Sequence, residues 1–302
     1  MKTIDRLIFK TGSKEELLPG YSEQFQHIAS RVALDKYVER CVPWHWHNTL
    51  ELFYIESGAL EYFTPGGSRI FHEGSGGLVN SNVLHMTKLL PNTNYNIQLV
   101  HLFDPVLISG EKGNLIDLKY VMPFINSQVE LISFPADRLE CKEVLKLIKD
   151  SFLLKENEKG YELRLREKLS KIWLKMLEME DDAMAEKTAY HKSNDQIKQM
   201  MMYVQEHFAE KISISQLAEV SFLSERGCYR VFQECLHMTP ADYIKSYRLQ
   251  IACQMLLKTD LNLTEISQAC GLGSGSYFGK TFKENIGCTP MEYRQKWQNS
   301  DA

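Results

Sequence analysis

Four things are missing from this 302-residue chain, and each narrows its class. There is no run of about 18 apolar residues, so no membrane-spanning helix is expected. The start, Met1-Lys2-Thr3-Ile4-Asp5-Arg6, lacks the apolar core of a secretory signal. The seven cysteines (41, 141, 228, 235, 253, 270 and 288) are odd in number, scattered and without a Cys-x-x-Cys pair. They read as buried, reduced thiols of a cytoplasmic protein rather than a disulfide or zinc framework. An excess of positive charge is absent too: 35 Lys and Arg stand against 39 Asp and Glu, and from Asn194 onward eleven against twelve. A strongly basic field is therefore excluded as a source of nucleic-acid affinity. Any such binding must rest on a few directed side chains or on dimerisation. Apolar content of 44% and charged content of 25% are those of an ordinary soluble protein long enough for two domains.

What is present is a repeat in the last third. Ser213-Ile214-Ser215-Gln216-Leu217-Ala218 recurs in kind as Asn262-Leu263-Thr264-Glu265-Ile266-Ser267, 49 residues on, and this offset holds at Leu223 and Leu272. One extra residue then enters, so that Ser224/Ser274, Arg230/Lys280, Phe232/Phe282, Glu234/Glu284, Thr239/Thr289, Pro240/Pro290 and Tyr243/Tyr293 run at 50. A fixed period means one supersecondary unit used twice. Ser213-x-x-Gln216 and Asn262-x-x-Glu265 are capping boxes. Ser224 and Ser274 are suited to cap a second helix after a short turn. In that helix Cys228 with Phe232, and Phe278 with Phe282, sit four residues apart and hold it to a core. The opposite face carries Arg226, Tyr229 and Arg230 in one copy, and Ser276, Gly279, Lys280 and Lys283 in the other. Short helix, turn, longer helix with such a face predicts two helix-turn-helix units, about 213–236 and 262–286, whose faces meet DNA. Lys245, Arg248 and Arg294 are expected to add to the basic face.

The run Gly271-Leu272-Gly273-Ser274-Gly275-Ser276-Tyr277-Phe278-Gly279-Lys280-Thr281-Phe282-Lys283, closed by Gly287-Cys288-Thr289-Pro290-Met291-Glu292-Tyr293-Arg294, resembles the signature of the AraC/XylS family of bacterial transcription regulators. The resemblance covers about Asn194 to Trp297 and includes the linking helix Pro240 to Lys258. It departs from the family at Leu272, where phenylalanine is usual, and at Gly227, Gly275 and Gly279 within the recognition helices. Each such glycine weakens its helix by up to ~1 kcal/mol relative to alanine and reads no base.

From about Glu51 to Val100 the pattern changes to short strands (Leu50–Ile55, Leu60–Thr64, Gly77–Asn80, Asn96–Phe103) separated by Gly-, Pro- and Asn-rich turns, as in a β-sandwich or barrel. Within it His45-x-His47-x3-Glu51-x6-Gly58, with His85 further on, resembles the first cupin motif and the histidine of the second. This also resembles the effector domain that accompanies AraC-type DNA-binding domains. His45, His47 and Glu51 are expected on one face of an extended strand. Three imidazoles and a carboxylate suit a divalent transition metal. Asn80-Ser81-Asn82, however, replaces the second motif's prolines and glycine. The expectation is therefore no metal and no cofactor, with His45, His47, Glu51 and His85 as hydrogen-bonding groups at the mouth of an effector pocket; metal ligation by the same four is the second reading. Trp46 and Tyr62 join the pocket, within an aromatic set of Trp44, Phe53, Tyr54, Tyr95 and Phe103 that suits a small molecule, carbohydrates included.

Amphipathic stripes then predict helices over Asp137–Leu154 (Cys141, Val144 or Leu145, Ile148, Phe152) and Tyr161–Met179 (Leu165, Leu169, Ile172, Trp173, Met176). They should pack on the barrel or pair across a dimer. The fold class expected is α+β multidomain: residues 1–135 a cupin-like barrel, 136–182 a helical dimerisation or packing segment, 183–193 a linker, and 194–302 an all-α domain with the two helix-turn-helix units. The function expected is a sequence-specific DNA-binding regulator, not an enzyme, controlled by a small-molecule effector. Its partners would be an operator duplex, a second copy of the chain and RNA polymerase, with no membrane. A metal-dependent cupin enzyme with a helical appendage and an effector-independent DNA binder are the alternatives.

Overall fold

The computed structural model describes residues 24–37, 40–179 and 193–298, together with short strands at Lys2–Ile4 (β1), Ile8–Phe9 (β2) and Glu16–Leu17 (β3). The linker expected at 183–193 lies, apart from Ser193, outside the described residues. The chain divides into two compact units, one of residues 1–10 and 14–191 and the other of 11–13 and 192–302. No helix among the described residues is long and apolar enough to cross a membrane.

The first unit is built on strands β4 (His27–Val32), β5 (Cys41–His45), β6 (Leu50–Ser57), β7 (Ala59–Thr64), β8 (Gly67–His72), β9 (Gly76–Val79), β10 (His85–Leu89), β11 (Ile97–Phe103) and β12 (Leu131–Phe134). They form a six-stranded sheet in the order β1-β4-β11-β6-β9-β12 and a four-stranded sheet β5-β10-β7-β8. The cupin-like barrel thus takes the form of two facing sheets rather than one closed hydrogen-bonded cylinder. Strand β6 shows why. Its period of two sends Phe53 and Ile55 into the layer between the sheets, with Leu60, Tyr62, Phe71, Val100 and Leu102. Leu50, Leu52 and Tyr54 point the other way, into a second apolar layer. There helices α1 (Lys142–Ser151) and α2 (Tyr161–Glu178) cover the six-stranded sheet. Val144, Leu145 and Ile148 of α1, and Leu165, Leu169, Ile172, Trp173 and Met176 of α2, are buried there on the stripes expected. Burial of each such side chain contributes about 1.5–3 kcal/mol. Strands β4, β5, β8, β10 and β12 were not legible as strands. In β8 only Phe71 is buried, and such an edge strand carries little apolar pattern.

The second unit contains helices α3 (Ser193–His207), α4 (Ile214–Val220), α5 (Glu225–Leu236), α6 (Pro240–Lys258), α7 (Leu263–Ala269), α8 (Gly275–Ile286) and α9 (Pro290–Gln298). The repeat is geometric as well as sequential. Phe232 meets Tyr243 at 5.6 Å between ring centroids, and Phe282 meets Tyr293 at 5.5 Å, at the same offset of 50. Helix α6 contributes Leu249, Ala252, Cys253 and Leu256 to the core under α7 and α8. Ile197, Met201 and Val204 of α3 are fully buried, as their spacing requires.

Between sheet and helix in the first unit, a hydrogen-bonded chain crosses the apolar layer. Ser151 Oγ donates to Ile148 O, so it accepts from His101 Nε2 at 2.9 Å; His101 Nδ1 is then left to accept from His27 Nε2 at 2.8 Å. The His101 ring stacks on Phe152 with centroids 3.8 Å apart. Burial pushes His27 down to about 3 and drives His101 well below the ordinary range, so both rings are neutral in the folded state. Between pH 6.5 and about 3 the unfolded chain then binds more protons than the folded one at His27. Stability is full above 6.5 and falls with pH across that window. Thermal melts from pH 7 to 4 should show this loss, and a smaller one in His27→Asn; identical slopes in the two proteins would contradict it.

Candidate nucleic-acid interface and effector site

Both helix-turn-helix units are capped as their residues dictate. Gln216 N donates to Ser213 Oγ while Ser213 N donates to Gln216 Oε1 at 2.8 Å. In the second copy Glu265 N donates to Asn262 Oδ1 at 3.0 Å, and Asn262 N donates to Glu265 Oε2 at 2.8 Å. Ser224 and Ser274 accept from Gly227 N and Tyr277 N, opening the second helix of each pair. Cys228, Phe232, Phe278 and Phe282 are fully buried and hold α5 and α8 down. The turns reverse through left-handed residues at matching positions, Phe222 (φ 54°) and Gly271 (φ 64°). A side chain at 271 would meet Phe208 O at 2.7 Å, so only glycine fits there. Phe222 is 90% exposed.

With those faces fixed, Arg226, Tyr229 and Arg230 are exposed on α5, and Ser276, Lys280 and Lys283 on α8. Arg230 and Lys280 each lie 3.9 Å from a glutamate one turn on, Glu234 and Glu284. Gln233 was missed by sequence reading. It is exposed, continues the α5 stripe, and stands 50 residues before Lys283; the repeat offset was the signal that pointed to it. Three other basic residues are engaged within the domain instead of adding to the basic face. Arg248 donates to Phe208 O and Glu210 O, and Arg294 to Leu256 O, Thr259 O and Leu261 O, all carbonyls at or just past helix ends. Lys245 pairs with Asp242 at 3.0 Å.

In the first unit the four cupin-motif residues converge, but not along one strand. His45 ends β5 in one sheet, His47 lies in the crossing segment, Glu51 is in β6 of the other sheet, and His85 opens β10. The turn at 46–49 carries the chain from sheet to sheet, which a single extended strand could not do. One ligand atom of each of the four lies within 4.8 Å of the others. All four are buried, so they sit inside the sandwich rather than on a rim. Glu51 Oε2 is 3.2 Å from both His47 Nε2 and His85 Nε2, while Tyr62 donates to Glu51 Oε1 at 2.6 Å. Burial alone would raise the Glu51 carboxyl, but His85 and His47 hold it well below the usual carboxylate range. Burial, then the neighbouring His85 and His47, keep His45 far down and neutral. Burial and Glu51 push the Tyr62 phenol up, so it stays a donor.

Beside this cluster is a cavity of about 40 Å³ lined by Val32, Tyr37, His45, Glu51, His85, Thr87 and Gln98, among others. That volume admits a few water molecules; drug-sized ligands occupy sites of roughly 300–1,000 Å³. The aromatic set does not line it. Phe53 stacks on Tyr62 in the core between the sheets, Tyr54 and Phe103 face the helices, Trp44 and Trp46 are buried, and Tyr95 is exposed. Tyr62 reaches the cluster through Glu51.

A family model described as a helix-turn-helix domain matches residues 217–296. The HTH-type transcriptional regulator YdeC of Bacillus subtilis is 25% identical over 268 residues, 88% of this chain and 90% of that protein. The HTH-type transcriptional activator RhaS of an Enterobacter species is 33% identical over 105 residues. That alignment spans 34% of this chain and only 38% of RhaS. Among solved structures, ToxT of Vibrio cholerae covers 90% of this chain and 98% of its own at 12% identity, with a TM-score of 0.46. A regulator of Chromobacterium violaceum with an AraC-type DNA-binding domain is 28% identical over 34% of this chain and 93% of its own, with a TM-score of 0.34.

The two kinds of basic residue should separate in stability measurements. Arg294→Ala strands three carbonyls of a charge-assisted cap and should cost about 1.5–3 kcal/mol. Lys280→Ala, on an exposed face, should stay within about 0.5 kcal/mol of the parent. Denaturant titration checks both, and equal losses would remove the distinction.

Proposed function

We propose that the chain is a helix-turn-helix transcription regulator of the AraC/XylS type rather than an enzyme, that it reads its operator with two helices, and that it is controlled from the buried polar cluster of its first unit. The observation that carries this reading is the double, independently capped unit with an exposed stripe at equivalent positions of each copy. Arg226, Tyr229 and Arg230 on α5 and Ser276, Lys280 and Lys283 on α8 are the contacts, with Gln233 added. Arginine suits guanine O6 and N7 in the major groove, and glutamine suits adenine. Helix α5 has the longer and more directional side chains, so base discrimination falls mainly on it. The effector meets His45, Glu51 and His85 at the cavity, with His47 and Tyr62 joined to them through Glu51, while Trp46, expected in the pocket, does not line it; the size of the cavity favours something smaller than a carbohydrate. Residues 136–182 serve packing or dimerisation, 183–193 link to the reader at 194–302, and RNA polymerase is a further partner in the cytoplasm. Control requires that the effector bind two arrangements of the regulator unequally. Coupling of about 1–3 kcal/mol would shift operator affinity roughly 5–150-fold.

Two readers on one rigid link should enter successive major grooves about 10 base pairs apart. Footprinting on the DNA flanking the protein's own gene should show two protected patches at that spacing for each bound chain; a single short patch would leave one reader idle.

Arg230→Ala tests the base-reading role. Binding should weaken by about 1–3 kcal/mol with discrimination relaxed at one base position. A uniform loss on all sequences would move Arg230 to the phosphate backbone.

A further inference from the structure

The two exposed stripes share a feature that reading a groove does not by itself require. Arg226, Arg230, Lys280 and Lys283 are the cations of these faces, and two of the four stand beside a carboxylate of their own helix. Arg230 Nε lies 3.9 Å from Glu234 Oε1, and Lys280 Nζ lies 3.9 Å from Glu284 Oε1. Each pair spans four residues, and the two occupy the same place in the repeat, 50 residues apart. At that distance each is an ion pair rather than a hydrogen bond. The glutamates are exposed, and Cys228, Phe232, Phe278 and Phe282 hold the helices down from the opposite face, so folding needs neither pair. Toward DNA each glutamate is a cost, because it offsets a cation that would otherwise meet a phosphate. The geometry differs between the copies. In α5 the carboxylate faces Nε, on the stem side of the guanidinium and opposite the outer edge of Nη1 and Nη2. That outer edge is the one suited to guanine O6 and N7. In α8 the lysine has a single ammonium, so Glu284 faces its whole donor group.

We propose that Glu234 and Glu284 are positioning residues that set sequence specificity. They draw Arg230 and Lys280 away from backbone phosphates, and so weaken binding to DNA of arbitrary sequence more than binding to the operator. The inference rests on the reading of α5 and α8 as the DNA-contacting helices. Nonspecific binding draws almost wholly on cations that neutralise phosphates. A guanidinium already paired at Nε gains less from a phosphate, yet keeps its outer edge for a base. Discrimination is a difference between two affinities, and it grows when the unwanted one is lowered. Arg248, Arg294 and Lys245 are engaged within the domain, so the paired Arg230 and Lys280 are half of the positive charge that the two stripes present.

The test uses the full chain and two probes: the duplex it enriches from a random-sequence pool, and a shuffled duplex of the same length and composition. Fluorescence anisotropy gives both affinities across a salt series. In the double variant Glu234→Gln, Glu284→Gln, binding to the shuffled duplex should tighten. The slope of log K against log salt should steepen by about 1–2, roughly 0.9 for each phosphate contact regained. Preference for the enriched duplex should fall on the order of tenfold. Added to Arg230→Ala, Glu234→Gln should change nothing further, because it acts through that arginine. Glu73→Gln makes the same change of charge in the first unit and should leave both affinities as they are. An unchanged or increased preference in the double variant would overturn the proposal. So would an effect of Glu234→Gln that persists without Arg230, or an equal effect from Glu73→Gln. A parent chain that enriches no sequence would remove the reading of α5 and α8 itself, and this inference with it.

Discussion

Strand β6 has to be buried on both of its faces, and much of the first unit follows from that. Helices α1 and α2 cover one face, and the four-stranded sheet covers the other. A strand so placed tolerates a charged side chain only where partners await it, because an unpaired buried carboxylate is prohibitively costly. Glu51 is that charge, and it sits where Tyr62, His47 and His85 converge. The polar cluster is therefore a condition of the sandwich core as much as a site within it. A ligand that binds there acts on the contact between the two sheets.

The second unit solves a different problem. Two short helix pairs share the linking helix α6 as part of their cores. The first helix of each pair opens on a capping box built from different residues, serine and glutamine in one copy and asparagine and glutamate in the other. The same turn is made by Gly271 in one copy and by Phe222, in a conformation that glycine prefers, in the other. With the helices fixed this firmly, the stripes opposite the core stay exposed.

Much of the second unit was legible because its determinants are local. Capping boxes act within three residues, an i, i+4 aromatic pair within one turn, and the 49- and 50-residue offsets align everything else. The same offsets would have revealed Gln233. They could not reveal that Arg248 and Arg294 fold back on helix ends, because their carbonyl partners lie 33 to 40 residues away in the chain. In the first unit the helical stripes and the cupin-like motif were legible; the missed strands include the edge strands β5, β8 and β12 but also β4 and β10, which lie inside their sheets and whose short segments mix His, Ser, Thr, Lys and Arg with apolar residues.

The sequence alone therefore determined the two capped helix-turn-helix units and the identity of the four clustered residues, since each depends on neighbours along the chain. Only the tertiary structure decided where those four meet. The chain crosses between sheets at residues 46–49, bringing His45, His47, Glu51 and the distant His85 within 4.8 Å. It also decided that the cluster is enclosed between the sheets, with Glu51 at its centre. Spacing can specify which groups are available, but protonation and direction are set by what packs against them.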